Sequence, residues 1–274
     1  MTINCKGQII DLSTPKVMGV LNITPDSFYD GGKHKDETSM LYHVESMLKE
    51  GAAFIDLGAY SSRPNADHVS EAIELKRILP IVKLILKTFP DTLLSIDTFR
   101  SKVAKTCIDA GAALINDISA GKLDDNMLNT VADSKVPFIM MHMRGTPKTM
   151  QIQTNYNNLV KDILFYFSER IAAARALGIV DIIVDPGFGF AKTLEQNYQL
   201  LNELELFNII ETPLLVGLSR KSMIYKTLNT SAKEALNGTS VLNTIALQKG
   251  ASILRVHDVK EAMECVKLIK LLNY

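Results

Sequence analysis

Eight short apolar runs alternate with amphipathic stretches along the 274 residues, and this pattern restricts the chain to few folds. Each run spans three to five residues, which suits strands buried on both faces of a parallel sheet. The runs are Val17–Leu21, Ala53–Leu57, Leu93–Ile96, Ala113–Ile115, Pro137–Met141, Ile182–Val184, Leu214–Val216 and Ser252–Val256. Strands that alternate with helices form parallel sheets, so the sequence predicts an α/β protein.

Helices are predicted between the runs, where apolar residues recur at the helical period. Two such apolar faces comprise Met40, Leu41, Val44, Met47 and Leu48, and Leu159, Val160, Ile163, Leu164, Phe167 and Ile171. Four amphipathic stretches end in a glycine just before the next strand, namely Gly51, Gly111, Gly178 and Gly250. Glycine suits the position after a helix because it adopts positive φ without steric cost. We therefore interpret these four glycines as structural.

A closed (β/α)₈ TIM barrel and a doubly wound open sheet both fit this alternation. The count of eight strands and a length near the roughly 250 residues typical of barrels favour the barrel. Residues 2–12, with a turn at Lys6-Gly7, are predicted to form a short N-terminal hairpin before the first barrel strand. Because no low-complexity linker interrupts the pattern, we expect a single domain over residues 1–274.

Charge and cysteine content exclude several classes of protein. Lys and Arg total 30, as do Asp and Glu, and this balance gives no support to nucleic-acid or membrane-surface binding. Cys5, Cys107 and Cys265 lie far apart in sequence, which indicates scattered thiols in a reducing compartment. The sequence shows no signal-peptide pattern and no apolar stretch near the ~18 residues of a membrane span. We expect a cytoplasmic protein with no nucleic-acid or membrane partner.

Polar residues follow nearly every apolar run. A closed parallel barrel brings the C-terminal ends of its strands onto one rim, where barrel enzymes build their active sites. A lone Asp after a strand is usually a helix cap or turn former, but capping requires neither Arg255 nor His257. The polar residues at these ends include Asn22, Asp56, Arg63, Asp97, Asn116, Asp117, His142, Asp185, Ser219, Lys221, Arg255 and His257.

These side chains divide into two chemistries. Asp97, Asn116 and Asp185 are hydrogen-bond acceptors, which suit a flat heterocycle that carries several N–H groups. A second set consists of cations or donors that suit phosphate or another anion, namely Arg63, Lys221, Arg255 and His257. Because strand residues two apart share a face, Arg255 and His257 are expected on the same side. His142 is interpreted as a structural residue or a minor pocket contact.

The order of these motifs resembles that of the dihydropteroate synthases. The first and second signatures of that family resemble residues 18–32 (Met-Gly-Val-Leu-Asn-Ile-Thr-Pro-Asp-Ser-Phe-Tyr-Asp-Gly-Gly) and 56–64 (Asp-Leu-Gly-Ala-Tyr-Ser-Ser-Arg-Pro). The remaining motifs are Ser95-Ile-Asp-Thr, Asn116-Asp-Ile, Asp185-Pro-Gly-Phe-Gly-Phe, Gly217-Leu-Ser-Arg-Lys and Arg255-Val-His-Asp. The chain departs from the usual pattern at Ala59 and Ala191, where the family often has glycine, and at Ser62, which replaces threonine but keeps the hydroxyl.

The resemblance implies an enzyme of folate biosynthesis, a known target of sulfonamides. Such enzymes join 6-hydroxymethyl-7,8-dihydropterin pyrophosphate to 4-aminobenzoate, releasing pyrophosphate and forming 7,8-dihydropteroate. The implied pterin contacts are Asp97, Asn116, Asp185 and Lys221. The implied pyrophosphate contacts are Asn22, Ser62, Arg63, Arg255 and His257, and Asn22 also holds Mg²⁺. The implied aminobenzoate contacts are Phe28, Ser62, Pro64, Phe190, Lys221 and Ser222.

Catalysis is expected to depend on stabilising the leaving pyrophosphate, because the pterin can delocalise positive charge on the reacting carbon. The resemblance gives catalytic roles to Asp30, Arg63, Lys221, Arg255 and His257, with Asp30 steadying the cationic carbon. The family also implies a homodimer.

Two other functions stay open on the residues alone. A methyltetrahydrofolate-binding methyltransferase barrel would share the Asp and Asn set, but its substrate has no pyrophosphate for Arg255 and His257 to bind. A non-catalytic homologue would bind pterin only. The intact cationic residues favour the synthase over both.

Overall fold

The computed structural model of the chain describes residues 1–23, 33–60 and 69–272. The strands are β1 Thr2–Cys5, β2 Gln8–Asp11, β3 Lys16–Asn22, β4 Phe54–Gly58, β5 Leu94–Asp97, β6 Leu114–Asp117, β7 Phe138–Met141, β8 Ile182–Asp185, β9 Leu215–Val216 and β10 Ile253–Val256. The α-helices are α1 Lys33–Glu50, α2 Glu71–Thr88, α3 Ser101–Asp109, α4 Met127–Ser134, α5 Leu159–Ala176, α6 Leu194–Asn202, α7 Ser222–Thr227, α8 Leu236–Gln248 and α9 Val259–Leu272.

Strands β3 to β10 form one parallel sheet that closes on itself. Its order is β8-β7-β6-β5-β4-β3-β10-β9, and a parallel bridge between Val184 and Leu214 joins the two outer strands. The amide of Val184 also donates to the carbonyl of Pro213 at 3.0 Å. This closure confirms the predicted TIM barrel and excludes the open sheet.

The N-terminal hairpin is also confirmed. Strands β1 and β2 pair antiparallel across the two-residue turn Lys6-Gly7, whose φ angles of 55° and 80° are both positive, as the tightest hairpin turns require. Ile3, Cys5, Ile10 and Leu12 pack beneath the barrel against apolar side chains of its strands. The hairpin therefore closes the N-terminal end of the barrel interior.

Every predicted barrel strand is present, but several extend one residue further than the apolar run. Asn22, Asp97, Asn116 and Asp185 lie within strands and do not begin the following loops. Their positions are fixed by the ladder, for example by the pairing of Gly58 with Asp97 and of Asp97 with Asn116. The polar residues therefore project from rigid strands.

The helices pack their apolar faces on the outside of the sheet as predicted. In α1, Val44 and Met47 are buried, and in α5 the buried residues include Ile163 and Phe167. The four glycines expected after helices all have positive φ, at Gly51, Gly111, Gly178 and Gly250. In the described part of the chain, none of the helices combines the length and apolar character that crossing a membrane demands.

Candidate active site

A layer of polar side chains crosses the barrel interior directly above an apolar layer. Strand residues two apart share a face, so four polar residues of the layer stand above an apolar residue of the same strand, whereas Asp97 stands above the buried Ser95. The pairs are Phe54 and Asp56, Leu114 and Asn116, Ile183 and Asp185, and Ile253 and Arg255. Alternation along short strands thus accounts for the change from apolar to polar packing.

Arg255 lies between two carboxylates of this layer. Its Nε donates to Oδ2 of Asp56 at 2.6 Å, and its terminal guanidinium nitrogen donates to Oδ2 of Asp97 at 2.8 Å. Asp56 also accepts from the amide nitrogen of Asn116 at 3.2 Å. Burial alone lowers the pKa of Arg255, but Asp56 and Asp97 outweigh it and raise the pKa above its usual value. The guanidinium is therefore a permanent cation at the centre of the layer.

Asp97 is the carboxylate whose charge is most sensitive to its surroundings. Burial raises its pKa to about 7, with Arg255 opposing the rise and Asp56 adding to it. Its neighbour Asp56 is fully buried and keeps Oδ1 without a hydrogen-bond partner. The site therefore carries more acceptor capacity than the protein itself uses.

Asp185 and Lys221 form the opposite side of the layer. Asp185 is 6% exposed, and its Oδ1 accepts from the amide of Gly187 at 2.8 Å. Burial raises the pKa of Asp185, while nearby Lys221 opposes that rise. Burial lowers the pKa of Lys221 to about 8, with Asp185 opposing, and its Nζ donates to the carbonyl of Phe188. An acceptor and a donor with shifted pKa values thus face one another, as in many functional sites.

Asn22 and His257 lie at the outer, exposed edge of the layer. A Cβ atom at Gly58 would be 3.5 Å from Cβ of Asp97 and 3.8 Å from Oδ1 of Asn22, so these two side chains approach one another across Gly58. Oγ of Ser219 lies 3.0 Å from Nδ1 of His257 and accepts from the His257 amide at 3.1 Å. The polar groups predicted for an anion are therefore more open to solvent than Asn116 and Asp185.

Arg220, which belongs to the Gly217-Leu-Ser-Arg-Lys motif, fixes the turn before α7. Arg220 has a positive φ of 54° and donates two hydrogen bonds to Asp258, each 2.8 Å long. Lys221 follows at the N-cap of α7, and Ser222 is the first residue of that helix. Arg220 thus stabilises the turn, which leaves Lys221 directed towards Phe188.

Phe190 forms one wall beside Lys221. The Nζ of Lys221 lies 5.2 Å from the centre of the Phe190 ring, and that ring packs with Met141 and Met143. The other predicted site residues on the first and second signatures lie outside the described residues, namely Phe28, Asp30, Ser62, Arg63 and Pro64. Their roles stay predictions.

The structure shows two features of the site that the division by chemistry does not predict. The sequence separates the acceptors and the cations into two groups, but Asp97 and Arg255 bind one another, because both project into the same interior layer. Asp56 has no role predicted from the sequence, although it contacts Arg255 and Asn116. Its two-residue offset from Phe54 is a signal that could identify it.

Asp117 and His142 are structural residues beside the site. Asp117 accepts from the amides of Ser119 and Gly121, both at 2.7 Å, and therefore stabilises the turn after β6. Strand alternation directs Asn116 into the barrel and Asp117 away from it. His142 is 1% exposed, and burial holds its pKa well below the usual range.

Within the described ranges, no three His, Cys, Asp or Glu side chains form a cluster able to hold a metal. The one predicted ligand among these residues, Asn22, supplies a neutral amide oxygen at the exposed edge. A single protein oxygen fits Mg²⁺, which usually keeps several waters and binds substrate phosphates. The donor set thus suits a metal that arrives with a phosphorylated substrate.

Comparison with known proteins shows which family the chain belongs to. The family model for pterin binding enzymes matches residues 18–257. The dihydropteroate synthase of Escherichia coli (strain K12) is 42% identical over 272 residues, covering 98% of this chain and 96% of that protein.

Two solved structures share the whole fold. The Yersinia pestis dihydropteroate synthase with a sulfonamide drug complex has a TM-score of 0.92 at 42% identity, covering 100% of this chain and 99% of that chain. The Xanthomonas albilineans dihydropteroate synthase with 4-aminobenzoic acid has a TM-score of 0.91 at 35% identity, covering 99% of this chain and 98% of that chain.

The chain therefore belongs to the family of pterin-binding enzymes. Within that family its relatives over nearly the full length are dihydropteroate synthases, so the activity is that of a transferase in folate biosynthesis.

Proposed function

We propose that this chain joins 6-hydroxymethyl-7,8-dihydropterin pyrophosphate to 4-aminobenzoate through the residues of the interior polar layer. The observation that carries the proposal is the convergence of Asp97, Asn116 and Asp185 on one layer with Arg255 and Lys221. Buried acceptors select a ring rich in N–H groups, because an analogue lacking those donors leaves the acceptors unpaired.

The pterin ring binds to Asp97, Asn116, Asp185 and Lys221. The spare oxygen of Asp56 supports this role, since a buried carboxylate oxygen without a partner favours a ligand that donates to this layer. Asp56 belongs to the pocket as the residue that orients Arg255. The ring enters from the C-terminal end of the strands, where the layer is open.

The pyrophosphate binds at the exposed edge of the layer. Arg255 and His257 contribute from β10 and the residue after it, Asn22 contributes from the end of β3, and Ser62 and Arg63 contribute from the second signature. Asn22 would hold Mg²⁺, which would supply positive charge for the leaving group. The open position of Asn22 supports this role, because a hydrated ion with its phosphate needs room.

4-Aminobenzoate binds against Phe190, Lys221 and Ser222, and Phe28, Ser62 and Pro64 are its further contacts. The contact between the ammonium of Lys221 and the ring of Phe190 supports this pocket, since it combines a cation for the carboxylate with a flat apolar surface. Sulfonamides bind in the same pocket and make the chain a sulfonamide target, a role that the sulfonamide complex of the Yersinia pestis enzyme supports.

The reaction proceeds by departure of pyrophosphate before the amine attacks. The C–O bond of the pterin CH₂ group breaks, its electron pair leaves with pyrophosphate, and the amine nitrogen then bonds to the carbon and loses a proton. Arg63, Arg255 and His257 stabilise the leaving group, and Asp30 steadies the cationic carbon. His142 is 1% exposed and burial holds its pKa well below the usual range, which supports a mechanism without a strong base.

The chain acts as a homodimer in the cytoplasm. The resemblance supports the dimer, and the three buried, unpaired cysteines suit a reducing compartment. Sedimentation of the purified chain at micromolar concentration tests the dimer, because a monomeric mass contradicts it.

The activity test combines both substrates with Mg²⁺ and follows dihydropteroate. We expect product only when all three are present. A second arm labels the bridging oxygen of the pterin pyrophosphate and omits the amine. Movement of the label into non-bridging positions supports early C–O cleavage. Absence of product from the folded chain contradicts the proposed function.

A further inference from the structure

The turn after β8 has an unusual backbone that requires support. Gly187, Gly189 and Ala191 all have positive φ, at 73°, 81° and 50°. Ala191 carries a Cβ atom, so this conformation is disfavoured relative to ordinary backbone. The turn follows Asp185 directly and contains Phe190, so its shape sets the position of both substrate contacts.

The carbonyl oxygens of this turn are bound by side chains from two directions. Nζ of Lys192 donates to the carbonyls of Gly187 at 2.9 Å and Phe190 at 3.0 Å. Lys221 binds the carbonyl of Phe188 from the substrate side, and the hydroxyl of Tyr156 donates to the carbonyl of Ala191 at 2.8 Å. Lys192 therefore holds the turn independently of Lys221.

Lys192 has no role among the residues discussed so far, and its position is unusual for a lysine. It is 6% exposed, and its Nζ lies 3.2 Å from Nδ1 of His142, which is 1% exposed. His142 in turn packs under the turn, because a Cβ at Gly187 would lie 2.1 Å from the His142 carbonyl oxygen. A lysine is rarely buried to this degree without a specific set of partners.

The geometry of Lys192 suits a backbone clamp in either protonation form. As an ammonium it donates to two carbonyls and to the His142 nitrogen. As a neutral amine it donates to the same two carbonyls and accepts from His142. Both forms keep a hydrogen bond to the two carbonyls and to Nδ1 of His142, so the clamp persists as the charge changes.

We propose that Lys192 is a positioning residue of the condensation, which holds the turn after β8 so that Asp185 meets the pterin and Phe190 meets the aminobenzoate. This inference rests on the proposed function for its substrates. Lys192 touches neither substrate. Without it, the Phe190 carbonyl loses its side-chain partner and the Gly187 carbonyl keeps only the Phe190 amide at 3.1 Å. The strained turn then relaxes to another shape.

The principal variant is Lys192→Met in the full-length chain, which keeps an unbranched side chain one atom shorter and removes the donors. We expect pterin to bind about 10- to 100-fold more weakly and KM for 4-aminobenzoate to rise by a similar factor, with a smaller change in kcat. Amides of residues 187–191 should exchange with solvent at least about tenfold faster, with little change elsewhere.

Three further variants separate positioning from general damage. Lys122→Met is the matched control, since Lys122 is exposed at the same end of the barrel and lies over the Tyr166 ring. His142→Asn supplies an amide oxygen and nitrogen near the place of Nδ1, and binding should stay within about threefold of wild type. His142→Leu removes that partner but keeps Lys192, so we expect a loss of about 3- to 10-fold.

The inference is overturned if Lys192→Met binds pterin within about threefold of wild type and exchange in the turn is unchanged. If Lys192→Met does not fold, His142→Leu decides in the same way, because unchanged binding and exchange again contradict the clamp. If the wild-type chain binds pterin but makes no product, the proposed function fails. Faster exchange and weaker pterin binding in Lys192→Met would still support the positioning role in that case.

Discussion

The two ends of the barrel interior are built from the same strands but differ in chemistry. At the N-terminal end, the hairpin residues pack against Met18, Phe54 and Ile183 in a fully apolar cluster. Two residues further along the same strands, carboxylates, an amide and a guanidinium replace the apolar side chains. One step of strand alternation therefore separates a layer that stabilises the fold from a layer that binds substrates.

The polar layer reduces the stability of the fold, whereas the apolar layer does not. Asp56 is fully buried with one oxygen unpaired, and burial raises the pKa values of Asp97 and Asp185. Charged groups held in this way reduce stability and await a ligand with complementary donors. The apolar layer and the hairpin beneath it offset that cost. Variants at the two ends should therefore separate stability from binding.

The largest expected effect on stability is at the apolar end. Phe54→Ala removes a fully buried ring from the cluster and should lower the free energy of unfolding by about 3–5 kcal/mol. Pterin affinity of the folded protein should stay within about threefold, because the layer above is unchanged. Urea unfolding and calorimetry measure the two quantities. Phe165→Ala is the control, since Phe165 is exposed on α5, and a similar loss there would contradict the comparison.

Arg255→Met should break the polar layer by leaving Asp56 and Asp97 without their cation. We expect the free energy of unfolding to fall by about 2–3 kcal/mol near neutral pH. This is less than for a fully buried pair, because Arg255 is 23% exposed. The loss should shrink as pH falls, since burial raises the pKa of Asp97 to about 7 and its protonation removes an unpaired charge. Unfolding across pH measures this, with Arg175→Met on α5 as control. Equal losses at low and neutral pH would contradict the pairing.

Pterin binding should depend on pH through Asp97. The carboxylate must be ionised to accept ring N–H groups, and its pKa is raised to about 7, so affinity should fall about tenfold between about pH 8 and about pH 6. The free energy of unfolding should change with pH in the opposite direction. An acid whose pKa is raised on folding stabilises the folded state at low pH, and this contribution is lost as pH rises through about 7. Titrations of wild type and Asp97→Asn test this, and an equal pH dependence in both would refute it.

The smallest effects are expected from two glycine variants, one at each end of the barrel, whose backbone conformations are closely matched. Gly7 in the hairpin and Gly189 in the turn after β8 both have φ near 80°, and a Cβ at either position meets no severe clash. Gly7→Ala and Gly189→Ala should each cost about 1 kcal/mol of stability through backbone strain. Only Gly189→Ala should weaken substrate binding. An equal effect on binding in both variants would contradict the separation of the two ends.

Strand periodicity explains how much of this organisation the sequence predicts. Short apolar runs define the eight strands, the turn at Lys6-Gly7 indicates the hairpin, and the polar residue after each run identifies the rim. The network around Arg255 could not be predicted, because Asp56 and Asp97 are 199 and 158 residues away from Arg255 and meet it only when the barrel closes. The role of Lys192 could not be predicted either, since a lysine in a glycine-rich turn is ordinarily exposed.

The most direct test of the account is calorimetric titration of a pterin onto Asp185→Asn beside wild type. The amide keeps an oxygen for the Gly187 amide but places a donor against a ring donor, so affinity should fall by about 10- to 100-fold. The free energy of unfolding should be unchanged or higher, because burial disfavours the charged carboxylate. Affinity within about threefold of wild type would contradict the assignment of this layer to the pterin.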